Sequence, residues 1–142
     1  MQKHFIYIDT MATFSLTIEC NFAEFWRYNL IVTGAKLQGQ ERVGMINHID
    51  SVAPVGSNLS EMPRGYARKP KTELEFGGCD ALTLYIYVLP HTMPRTRLTD
   101  EARPFELHIT LSRDGEIIYN RRHMVAQWVG DNIEIKYPQL SE

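Results

Sequence analysis

The chain predicts an all-β fold: an antiparallel β-sandwich, or a partly closed barrel, with one short helical segment. Three observations carry that reading. Segments 82–88 and 105–111 alternate apolar and polar residues, Leu-Thr-Leu-Tyr-Ile-Tyr-Val and Phe-Glu-Leu-His-Ile-Thr-Leu. A period of two sends one set of side chains to a core face and the other to a second face. Asp114-Gly115 and Gly130-Asp131 stand between such runs as turn signals, and Asp-Gly is the strongest short-range mark of a hairpin. Nowhere does the chain supply the helix that a parallel crossover needs.

Taken in order, segment 4–8 alternates and suits an edge strand. Segment 12–18 alternates after only Asp9-Thr10-Met11, consistent with a tight hairpin or one bulged strand. Asn21 followed by Glu24 reads as a capping box, with Phe22, Phe25 and Trp26 on one face of one or two helical turns. Segment 28–33 is a strand, and Gly34 with Gly39 punctuate a turn around 35–38. Segment 43–52 is a strand with Val43, Met45 and Ile49 on one face. Residues 53–71, with three prolines and two glycines, form a long loop. Segment 72–76 alternates until Gly77-Gly78 break it. Segment 82–88 is the most apolar strand and stops at Pro90. Residues 91–104 are irregular. Segments 105–111 and 116–120 form one hairpin, and 124–129 with 132–137 form another, for about eight to ten strands in all.

At 142 residues, the chain is read as one domain, 1–142, within the usual ~100–200 residues. Such a domain buries roughly two thirds of its unfolded surface without a metal or disulfide. A net charge of −2 provides no field for nucleic acid, which is not expected as a partner. No apolar run approaches the ~20 residues of a membrane-spanning helix, and the N-terminal apolar stretch is too short for a secretory signal. The cytoplasm is therefore the expected compartment, with Cys20 and Cys79 reduced and buried as small hydrophobes.

The motifs for chemistry are incomplete. His108-Ile109-Thr110 puts an imidazole and a hydroxyl on one strand face. It is similar to half of the signature of the two-histidine phosphoesterases, which implies acid–base work on a phosphodiester. A second His-x-Thr does not occur, since His4, His48, His91 and His123 are followed at the second position by Ile6, Asp50, Met93 and Val125. The histidines His91, His108 and His123 are scattered singly, and the loop aspartates read as turn formers, so no metal or other cofactor is expected. Gly77-Gly78-Cys79-Asp80 is the nearest approach to a reactive turn, and a thiolate there would need a neighbouring cation.

Two features point to binding instead. Arg64, Arg68, Lys69 and Lys71 cluster around Tyr66, and Arg95, Arg97 and Arg103 populate the second irregular segment. If the two loops share one end of a sandwich, they form a basic, tyrosine-bearing patch suited to an acidic protein surface, a phosphate or single-stranded nucleic acid. The second face of 82–88 carries Thr83, Tyr85 and Tyr87, and tyrosine is enriched where proteins meet. The expected function is a non-enzymatic protein-interaction or assembly module, with binding residues Tyr66, Arg68, Lys69, Tyr85, Tyr87, Arg95 and Arg97, and with self-association or another protein as partner. The alternative is a small-molecule- or lipid-binding barrel or sandwich with a cavity lined by Tyr85 and Tyr87. A His108-dependent phosphoesterase-like enzyme ranks third.

Overall fold

A computed structural model describes residues 11–66, 70–92 and 103–139. The expected strand at 4–8 and its turn at Asp9-Thr10 lie outside them. Eight strands are present among the described residues: β1 (Ala12–Glu19), β2 (Tyr28–Gln38), β3 (Glu41–Asp50), β4 (Lys71–Cys79), β5 (Ala81–Pro90), β6 (Phe105–Arg113), β7 (Glu116–Val125) and β8 (Asp131–Tyr137). They form two antiparallel four-stranded sheets. Sheet A has the order β4-β1-β6-β7 and sheet B the order β3-β2-β5-β8. The sandwich is therefore the observed fold, and the one short helical segment is a 3-10 turn at Phe25–Arg27.

Alternation sets the layers. Phe14, Leu16 and Ile18 of β1, Leu107, Ile109 and Leu111 of β6, and Leu82, Leu84, Ile86 and Val88 of β5 all turn into the space between the sheets and are buried. Burial of each such aliphatic side chain contributes about 1.5–3 kcal/mol. One end of this core is closed by rings. Phe22 stacks on Phe105 at 4.6 Å, Tyr28 lies 5.1 Å from Phe105, and the Tyr28 hydroxyl donates to the Gln127 carbonyl. Burial holds the Tyr28 phenol well above its ordinary pKa, so it remains a donor.

Four expectations are corrected. The capping box does not form: Glu24 is the cap residue, its side chain bonds no backbone N–H, and its carboxylate instead pairs with Arg27 at 3.0 Å. The strand does not turn at Gly34. β2 runs on to Gln38, because a side chain at Gly34 would collide with the Thr83 carbonyl and only glycine lets β5 pair that closely. Gly77-Gly78 do not end their strand but form a bulge opposite Thr13, since Ala12 pairs with Cys79 and Phe14 with Phe76. The last expected hairpin is absent: β7 continues to Val125, residues 126–130 form a turn, and β8 joins the other sheet. Gly130 faces the Val88 carbonyl with no room for a Cβ, which fixes where that crossing meets β5. The Asp114-Gly115 hairpin is as expected, with φ of 50° and 85° between paired Arg113 and Glu116.

The two ends of the sandwich differ. At one end the connections are tight. Asp80 accepts from the Gly39 amide at 3.0 Å, and Asp114 accepts from the Thr13 amide at 2.9 Å, so each turn is tied to the opposite sheet or to a neighbouring strand. At the other end lie the 3-10 turn and the connections that follow β3, β5 and β7.

Candidate functional site

At the loop end, buried polar groups serve as fasteners. His91 is fully buried: its Nε2–H donates to the Trp26 carbonyl at 2.6 Å, and its Nδ1 lies 2.7 Å from the Thr92 hydroxyl. Its carbonyl accepts from the amides of Gly56 and Ser57, and Ser57 bridges to Thr92. The stems of the two long connections therefore adjoin at one end of the sandwich. Asn29, buried on β2, donates to the Ala53 carbonyl at 2.8 Å and accepts from the Val52 amide at 2.7 Å, which clamps the start of residues 51–66 to sheet B.

The basic patch is diluted where it is described. Arg64, Tyr66 and Lys71 line an open cleft of about 730 Å3 between the ends of β3 and β4. Asp50 and Glu73 line the same cleft, so it carries charges of both signs. Arg68, Lys69, Arg95 and Arg97 lie outside the described residues. Arg103 offers its carbonyl to Gln127.

The histidines do not converge. His91 is locked at the loop end. His108 stands on the outer face of sheet A, donating from Nε2 to Asn120 at 2.6 Å with Nδ1 3.6 Å from Glu19. The cleft beside it, about 430 Å3, is lined by Glu19, Asn21, Phe22, Phe105, Glu106 and Arg122 as well as His108. No second histidine lines it among the described residues. His123 opposes Leu107 on the inner side of β7, where its Nε2 and the Tyr119 hydroxyl share a hydrogen bond at 2.8 Å. Burial pushes the His123 imidazolium down and the Tyr119 phenol up, which keeps both neutral and hydrogen-bonded. Cys79 is fully buried at the β4 bulge, and burial raises its thiol, so the reactive turn is a packed corner. No disulfide joins it to Cys20.

The outer face of sheet B has a different character. Tyr85 and Tyr87 both stand on it, side by side on β5. The strand register extends them into rows. Tyr87 neighbours Ile31, which neighbours Ile49; Tyr85 neighbours Thr33 and then Asn47; Thr83 neighbours Ala35 and then Met45; Ala81 neighbours Leu37. Val43 occupies the bulge opposite Leu37. Met45 is 63%, Ile49 59% and Val43 50% exposed. The charges on this face sit at its borders: Glu134 and Lys136 on β8, and Arg42 at the turn end of β3. A hydrogen bond to Glu134 raises the Tyr85 phenol and directs its hydroxyl to that border.

Sequence reasoning placed Tyr85 and Tyr87 on the second face of β5 but left Ile31 and Leu37 unnoticed. The available signal was the unbroken run Leu30-Ile31-Val32, which is apolar on both faces of one strand. Val43, Met45 and Ile49 do share a face, and it is this outward one rather than the core. Comparison with known proteins adds no further constraint: the chain matches no protein-family model, no curated protein and no solved structure.

Proposed function

We propose that the protein is a non-enzymatic interaction or assembly module that docks a protein through the outer face of sheet B. One observation carries this reading. A contiguous apolar and tyrosine-bearing surface spans β3, β2 and β5, with three large aliphatic side chains at least half exposed on its edge strand. Scattered surface hydrophobics need no explanation, whereas a contiguous patch with polar borders marks a contact surface. The edge strand reinforces it. Natural sheets blunt their edges with charge, proline or bulges. β4 is blunted along its length by Lys71, Glu73, Glu75 and its glycine bulge, whereas β3, bulged at Val43, keeps Glu41, Arg42 and Asp50 at its ends and carries only His48 as an ionisable side chain over 43–49.

Light scattering after size exclusion, at two salt concentrations, tests the reading. We expect association that persists at high salt, is lost in Ile49→Lys and Met45→Lys, and survives Thr17→Lys on the outer face of sheet A. Association that ignores the β3 substitutions would overturn it. So would a monomer whose catalytic turnover is abolished by replacing a polar side chain of either cleft.

A further inference from the structure

We infer that the occupant of this face is a second copy of the chain, packed sheet to sheet about a two-fold axis that crosses the strands at the row Ile46–Gly34–Leu84–Ile135. The inference rests on the docking role of the face and adds the partner and the geometry. Those four residues are register neighbours across sheet B. An axis lying along that row sets each strand antiparallel over its own counterpart. A residue one step to one side then faces the residue one step to the other side in the partner.

The pairings that result are complementary at most positions, the exceptions being Met45 against the partner's Asn47 and Arg42, at the rim, beside the partner's Ile49. On β8, Glu134 and Lys136 flank Ile135, so each carboxylate faces the partner's Lys136 and each ammonium the partner's Glu134. Within one chain these two groups already form an ion pair at 3.9 Å and are half exposed, so the two-fold extends that pair into a cluster of four alternating charges. On β3, Ile49 faces the partner's Val43. On β2, Ile31 faces the partner's Leu37, and on β5, Tyr87 faces the partner's Ala81. An axis along the strands instead would lay β3 over the partner's β8, setting Lys136 against Met45 and Glu134 against Asn47, with no ion pair between the copies. Covering charges without partners is disfavoured. The self-complementary charges therefore favour a second copy and this axis over the other.

The face is small. Four strands at about 4.8 Å spacing and roughly eight residues at about 3.3 Å rise outline roughly 500 Å2 per copy. The total, about 1,000 Å2, is at the lower bound of a specific interface and implies a concentration-dependent dimer.

The test is sedimentation velocity of the full chain over a range of concentrations, with circular dichroism as a folding control. Samples are the wild type, Glu134→Lys, Lys136→Glu and an equimolar mixture of the two variants. We expect a wild-type dimer, about ten-fold weaker dimerisation in each variant alone, and recovery in the mixture, where every facing pair is again opposite in charge. A monomeric wild type, variants that dimerise like wild type, or a mixture no better than its components would each overturn the two-fold. Ile49→Asp separates that failure from failure of the docking role. A dimer lost in Ile49→Asp but indifferent to charge reversal retains the face and overturns the axis; a dimer indifferent to all three overturns both.

Discussion

Across the outer side of sheet A, one row reads Lys71, Glu19, His108, Arg122 and the next Glu73, Thr17, Thr110, Asn120. Three successive rows of sheet B read Ile49, Ile31, Tyr87, Asn132, then the more polar Asn47, Thr33, Tyr85, Glu134, then Met45, Ala35, Thr83, Lys136. Both sheets have four strands and share one core, so fold alone cannot account for the contrast. Sheet A turns to solvent a lattice of donors and acceptors that water can serve. Its exposed apolar residues, Ile117 and Met124, sit at the two ends of β7 with Asn120 and Arg122 between them. Sheet B turns out a surface that water serves badly. A sandwich requires one apolar side per sheet, and a second one is what the proposed docking role would use.

The comparison breaks most completely at Gly34. Gly34→Val should destabilise the protein by about 3 kcal/mol or more, because the side chain must displace the Thr83 backbone and with it the pairing of β2 with β5. Urea denaturation would show it, and a loss under 1 kcal/mol would mean that β5 accommodates the group. Asn29→Ala comes next. It leaves the Val52 amide and the Ala53 carbonyl without their partner, at about 2 kcal/mol. Hydrogen exchange should accelerate in residues 51–57 while β1 is unaffected.

A subtler effect separates the seams. Burial depresses the His123 pKa, so the folded state takes up this proton less readily than the unfolded state. Stability from this group is present above the unfolded value near 6.5 and declines as pH falls through the window between that value and the depressed folded one. Thermal midpoints at pH 7.5 and 5.5 should therefore converge in His123→Gln relative to wild type. The smallest effect belongs to sheet A. Arg122 and Glu106 pair at 2.5 Å but are 62% and 46% exposed, so Arg122→Ala should cost no more than about 0.5 kcal/mol. A larger loss would show that the lattice on this face is structural rather than merely solvated.

Much of the fold was legible because alternation and turn chemistry are local. The strand at 82–88, the hairpin at Asp114-Gly115 and the brief helical turn near Phe25 follow from residues within a few positions of one another. What was not legible depends on distant backbone. Gly34 looks like a turn glycine until the Thr83 carbonyl is placed against it. Gly77-Gly78 look like a break until Thr13 stands opposite. Gly130 looks like a hairpin tip, yet its turn carries the chain from sheet A to sheet B. The candidate face was half legible. Tyr85 and Tyr87 stood out on an alternating strand, but Ile49 and Met45 are indistinguishable from core residues until strand order is known.

That strand order also dictates when each sheet can assemble. β2 and β3 are joined by the two residues Gly39 and Gln40, so their pairing closes early and locally. β1 finds its neighbours far along the chain, Lys71 opposite Glu19 and Ser112 opposite Ser15. Loop closure of that span makes sheet A the slow step of folding. On a ribosome, β1 must wait with both edges open until β4 has emerged and with one open until β6 follows, while the hairpin carrying Met45 and Ile49 has already formed. The apolar outer face is thus presented to the cell before the polar one exists, and pulse-labelling exchange should protect the amides of β2 and β3 ahead of those of β1.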